Sequence, residues 1–316
     1  ARLFLVLLLL AEVVFAAGPR MIAFSATPNG YLNDHAPAIA RIYDGFFFGG
    51  GSWEDAVKRF EGAGGAAPEA QAWMQEVRQN IASLRRAGVT ENLLTVHWAA
   101  NGKHPRPETI FSKDFTVNME RQFAALGRTA KRLGFRGVCL DLEYAADMWE
   151  IHHKQYRFED YTVEDVLETV RGQGHSAMKA LLDAYPEAVI FVLPGNLRHW
   201  AVDAYYQLGL IEAMAERDAP GGLHFGSEWT YYVRDRLATM GCTRFEDTAV
   251  ESLTSTKVAA YWKRRCSVAP GVWPLHMSET DRTDVPVRPW KEEMAEIREQ
   301  MRVLRSTAKF YMWSFT

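Results

Sequence analysis

Cysteine is scarce in this chain. Cys139, Cys242 and Cys266 are the only three, too few for a disulfide framework, and at most Cys242 and Cys266 could pair because Cys139 sits within an apolar strand pattern. No CxxC or HxH spacing occurs, and the adjacent His152 and His153 face different directions on a helix or a strand, so no metal site is expected. Charge of one sign is lacking as well. Lys and Arg total 36 against 39 Asp and Glu, a formal net charge of -3, which leaves no electrostatic footprint for nucleic acid or an anionic membrane. The run Gly49-Gly50-Gly51 is not followed by Lys-Ser or Lys-Thr, which excludes a phosphate loop. No cofactor is expected.

Long apolar runs are equally few. The one at the start, Leu3 to Leu10, follows Arg2 and leads to a small-residue exit around Ala16, the pattern of a secretory signal peptide over residues 1–17. Glu12 interrupts it, and it is short for a membrane span. The competing reading is a buried apolar helix of the mature fold. The first reading places the protein outside the cytoplasm, secreted or periplasmic, with no membrane span in the mature chain.

What is present is enough apolar material, 48% of 316 residues, for one large core. Ten Trp and twelve Tyr are more aromatic surface than a core requires, and such rings stack well on sugars. Strand patterns recur at Met21–Ser25, Asp44–Gly51, Asn92–Trp98, Gly134–Tyr144, Ala188–Leu193, Gly222–Glu228, Gly271–Glu279 and Lys309–Phe315. Helical periodicity predicts helices ending near Gly88, from Lys113 to Leu133 and from Thr162 to Ala184. Eight strands, mostly separated by helical patterns and without hairpin signals, predict a single (β/α)8 barrel over residues 18–316, with no discernible eighth outer helix.

The fourth strand ends in two acids. Side chains alternate along a strand, so Asp141 and Glu143 face the same way while Leu140 and Leu142 face the other. Desolvating two like charges together is costly and raises a pKa, which marks an acid/base site unless a neighbouring Arg or Lys pairs with them. In a barrel the site lies at the carboxyl ends of the strands. The residues expected there are Asn29, Trp98, Asn101, Asp141, Glu143, Tyr144, Glu228, Trp229, Glu279 and Trp313. Acids with tryptophans on one rim suit glycoside hydrolysis, where one carboxyl protonates the leaving oxygen and a second supports an oxocarbenium-like transition state. One histidine per strand, His97, His224 and His276, reads as hydrogen bonding to substrate or to another side chain.

The stretch Gly134-Phe135-Arg136-Gly137-Val138-Cys139-Leu140-Asp141-Leu142-Glu143-Tyr144 resembles the strand-four signature of the glycoside hydrolase family 18 chitinases, Gly-Phe-Asp-Gly-x-Asp-x-Asp-x-Glu-Tyr. Arg136 and Cys139 replace that signature's first two Asp. The resemblance implies that Glu143 is the general acid and that Asp141 orients a substrate N-acetyl group. A second resemblance, to retaining barrel glycosidases with one Glu after strand four and another at strand seven, implies Glu143 as acid and Glu279 as nucleophile. Both imply a carbohydrate substrate; the strand-end positions place Glu228, Trp98, Asn101, Tyr144, Trp229, Trp313 and Asn29 along its cleft. The alternatives are a non-catalytic carbohydrate-binding barrel and a barrel hydrolase of another class.

Overall fold

The computed structural model describes residues 18–52, 68–97, 111–142, 161–195, 197, 201–231, 233, 235–273 and 290–315. Eight parallel strands close into a barrel in chain order, β1 pairing with both β2 and β8. They are β1 (Arg20–Ala26), β2 (Gly45–Ser52), β3 (Leu93–His97), β4 (Gly137–Asp141), β5 (Val189–Leu193), β6 (Leu223–Ser227), β7 (Ser267–Val272) and β8 (Tyr311–Phe315). Two short helices follow β1, α1 (Gly30–Asp34) and α2 (Ala36–Ile39). The outer layer then runs α3 (Pro68–Arg86), α4 (Lys113–Leu133), α5 (Val163–Ala184), α6 (Ala201–Glu216), α7 (Arg236–Leu253), α8 (Thr256–Arg265) and α9 (Trp290–Thr307). The molecule is the single (β/α)8 barrel the strand count predicts. The leader-like segment 1–17 lies outside the described residues.

Helix boundaries follow from local chemistry. At α4 the chain stops at Gly134, whose φ of 83° is open to glycine and strained for other residues. That turn delivers the chain directly into β4. Thr162 opens α5 with a capping box, accepting from the Asp165 backbone while the Asp165 carboxylate accepts from the Thr162 backbone.

One strand differs from expectation. The sequence predicts strand seven over Gly271–Glu279, whereas β7 is Ser267–Val272. Pro270 and Gly271 read as punctuation, yet both lie inside the strand. Pairing with β8 begins only at Gly271, so Pro270 sits beyond that ladder, where its missing donor costs least. Every β7 residue is buried, and Val272, not Glu279, is its last residue.

Alternation divides the strands into two faces. Leu94, Val96, Val138, Leu140, Ile190, Val192 and Phe225 pack outward under the helices. Ile22, Phe47, Leu93, Cys139, Val189, Phe191, Ala269, Tyr311 and Trp313 fill the interior, making it a packed core and not a pore. At its amino-terminal end the interior is closed by Glu91, 3% exposed, which takes an ion pair from Arg20 and a 2.8 Å hydrogen bond from the Tyr311 hydroxyl. Arg136 stands 4.0 Å from the same carboxylate and donates to the Glu187 carbonyl at 3.1 Å. This accounts for an arginine in the place where the chitinase signature has its first Asp: it belongs to the closed end of the barrel.

Candidate active site at the carboxyl-terminal mouth

At the opposite end, β3 and β4 are in register so that His97 is the direct partner of Asp141. Both lie on interior-facing positions, two residues above Thr95 and Cys139 respectively. His97 Nδ1 meets Asp141 Oδ2 at 2.7 Å, with the Asp141 side chain 6% and the His97 side chain 40% exposed. The sequence reads Asp141 as part of an acid/base site, with pairing to a lysine or arginine as the alternative; the structure sets an imidazole beside it. The contact joins Nδ1 to the carboxylate, and Nε2 is the second nitrogen of the part-exposed ring.

Beneath the pair lies Cys139, fully buried. Burial first, then the neighbouring Asp141 charge, push its thiol well above its ordinary value, partly offset by the Thr95 hydroxyl. The second departure from the chitinase signature therefore places a neutral thiol under Asp141 where that signature has another acid. Cys242 and Cys266, which the sequence left able to pair, are not joined by a disulfide. The other described interior histidine is of a different kind. His224 is buried, its Nδ1 lies 3.0 Å from Ser267 Oγ, and burial pushes its pKa down to about 3, which keeps it neutral.

The far side of the mouth is aromatic. In an eight-stranded ring β4 faces β8, and β3 faces β7. Phe24 stacks on Phe315 at 5.1 Å, Phe315 lies 4.6 Å from Trp273, and Tyr231 meets Trp273 and Trp313 edge-on at 5.4 Å each. Phe24, Trp273 and Phe315 are part-exposed, so they form a shelf above a buried ring. Trp313 is that buried ring, 1% exposed, packed on Phe24 and Phe47. Two glycines make room for it: a Cβ at Gly271 would lie 2.7 Å from the indole, and one at Gly226 3.3 Å from its Nε1.

After β6 the chain turns through Glu228, Trp229, Thr230 and Tyr231, the Tyr231 N–H donating to the Glu228 carbonyl at 3.0 Å. Thr230 pins this turn to β7. Its hydroxyl accepts from the Gly271 N–H at 2.7 Å and stands 2.8 Å from the Gly271 carbonyl. From α9, Gln300 Nε2 donates to the carbonyls of Tyr231 at 2.7 Å and Thr230 at 3.1 Å. Anchored from below in this way, the turn presents Trp229, 45% exposed, and the half-buried Glu228 at the rim.

The residues expected at the site therefore divide. Asp141, Glu228 and Trp229 lie at the mouth and Trp313 in the layer beneath. Asn29 caps α1: its Oδ1 accepts from the Leu32 N–H at 3.2 Å and its Nδ2 donates to the Thr27 carbonyl at 2.8 Å. Trp98, Asn101, Glu143, Tyr144 and Glu279 lie outside the described residues. The shelf of Phe24, Trp273 and Phe315 was not among the expected residues, although the alternation Tyr311, Trp313, Phe315 at the end of the chain carried its signal.

No protein-family model and no curated protein matches the chain. Among solved structures it is similar to a GH18 chitinase from Pseudoalteromonas aurantia, at 10% identity over 94% of each chain and a TM-score of 0.49. A xylanase from Paenibacillus barcinonensis is 12% identical over 95% of this chain and 84% of that one, with a TM-score of 0.49. Morphinone reductase is 10% identical over 93% of this chain and 81% of its own, with a TM-score of 0.46. The likeness is one of barrel architecture, which hosts hydrolases and reductases alike.

Proposed function

We propose that this barrel is an enzyme that hydrolyses a glycosidic bond of an oligo- or polysaccharide without a cofactor. The observation that carries the reading is the division of the mouth: a carboxylate and an imidazole on the β3–β4 side, and a part-exposed aromatic shelf with the exposed Trp229 on the other. A sugar ring has the matching chemistry, an apolar face of C–H groups to lie on a ring and hydroxyls and acetal oxygens for polar partners.

Glu143, two residues beyond Asp141, is the general acid in this reading. Trp229, Trp273 and Phe315 stack the substrate, and Glu228 lines the cleft. Trp98, Asn101 and Tyr144 complete the cleft, and Asp141 or Glu279 supports the second half of the reaction. The leader-like segment 1–17 fits a protein that meets polysaccharide outside the cytoplasm.

The test is turnover of a panel of aryl glycosides and unmodified oligosaccharides by wild type and Glu143→Gln, with binding followed in parallel by tryptophan fluorescence. We expect wild type to cleave at least one member and the variant to lose a hundredfold or more while still binding it. Binding without cleavage by wild type would replace the enzyme with a carbohydrate-binding barrel.

A further inference from the structure

We propose that His97 is the base of the site, accepting through Nε2 a proton from the water that attacks the sugar, with Asp141 as the residue that positions it. The inference rests on the glycosidase reading and deepens it by naming the second catalytic group and the stereochemical course that follows.

The argument begins with register. His97 and Asp141 are cross-strand partners at the last residues of β3 and β4, both directed into the barrel. Their 2.7 Å contact uses Nδ1. With Nδ1 donating to the carboxylate, the neutral ring carries its lone pair on Nε2. Asp141 is almost wholly buried and the imidazole is 40% exposed, so of the two it is the ring that meets solvent and substrate at the mouth. A carboxylate orienting an imidazole and stabilising its protonated form is an arrangement that makes a histidine an effective base.

Two other clusters give the contrast. At the closed end, the Glu91 carboxylate is surrounded by Arg20, Arg136 and Tyr311 and has a structural task. In the interior, His224 pairs with a serine hydroxyl and is held neutral by burial. The His97–Asp141 pair alone among these combines a carboxylate, an imidazole and access from the mouth.

The step balances as follows. Water gives one proton to Nε2 as its oxygen forms a bond to the anomeric carbon. The bond from that carbon to the leaving oxygen breaks, and the leaving oxygen takes a proton from the general acid. The imidazolium returns its proton to solvent and the acid is reprotonated from solvent. A single displacement inverts the anomeric centre, unlike the two retaining schemes that pair Glu143 with a substrate acetamido group or with Glu279.

The experiment uses the cleaved substrate from the aryl glycoside panel, the anomer formed first being read by proton NMR, with wild type, His97→Asn, His97→Gln and Asp141→Asn, each checked for folding by circular dichroism. Asparagine can keep a donor near the Nδ1 position but lacks Nε2. We expect inversion by wild type and a fall in kcat of a hundredfold or more in folded His97→Asn, at little change in KM. Asp141→Asn falls similarly, because an amide donating to Nδ1 moves the ring proton to Nε2. Should His97→Asn not fold, wild-type stereochemistry and His97→Gln decide. Retention of configuration, or a folded His97 variant within a few-fold of wild type, overturns this inference and leaves the glycosidase standing. Cleavage of no glycoside by wild type overturns both.

Discussion

The side chains of this barrel's interior differ in charge state according to what each finds within a few ångströms. His224 is the clearest case. Its pKa is pushed down to about 3 by burial, with Lys309 acting in the same direction, against an unfolded value near 6.5. Between those values the unfolded chain binds a proton that the native state refuses, so stability falls as pH drops from about 6.5 towards 3. The slope for one such group is about 1.4 kcal/mol per pH unit. Urea titrations of wild type and His224→Gln across that range should show this slope in their difference, and parallel curves would contradict the assignment. At this scale the sequence was informative about residue type and silent about partners. Asp141 and Glu143 stood out because two acids at the end of an apolar strand demand an explanation. That His97 faces Asp141 depends on the register between two strands, which no local pattern in either one contains.

At the scale of elements, boundaries set by a specific chemical stop were legible. Gly134 ends α4 and Thr162 opens α5 where the sequence places them. Strand β7 was not, because Pro270 and Gly271, usual turn residues, occupy a strand whose ladder with β8 starts late. With β7 ending at Val272, Glu279 lies outside the described residues. The β6 turn illustrates support from a distant element: Gln300, on α9, holds the carbonyls of Thr230 and Tyr231. Gln300→Leu removes that donor from both carbonyls, of which Thr230's still accepts from the Val233 N–H at 3.1 Å, at a cost of about 1 kcal/mol. We expect the variant to unfold at lower urea concentration and to bind oligosaccharide more weakly, through a turn that no longer holds Trp229. Unchanged stability with unchanged binding would remove Gln300 from the account.

Across the whole molecule the barrel has two unlike ends. The amino-terminal end is sealed by Glu91, Arg20, Arg136 and Tyr311, and the carboxyl-terminal end carries His97–Asp141 on one side and the aromatic shelf on the other. Eight strand patterns made the architecture readable, since strands joined by helices leave parallel closure as the economical solution. The shelf was harder to read: Phe24 and Phe315 come from β1 and β8 and Trp273 directly follows β7, and they meet only when the ring closes. In the proposed reaction Glu143 protonates the leaving sugar oxygen. The most direct test of that step is a series of aryl glycosides of one sugar that differ only in the pKa of the departing phenol, cleaved by wild type and by Glu143→Gln. A lost general acid matters most for the poorest leaving group. We expect the variant to be nearly as fast as wild type on dinitrophenyl glycosides and slower by a hundredfold or more on phenyl glycosides. A loss of the same size across the series, or none, would contradict it.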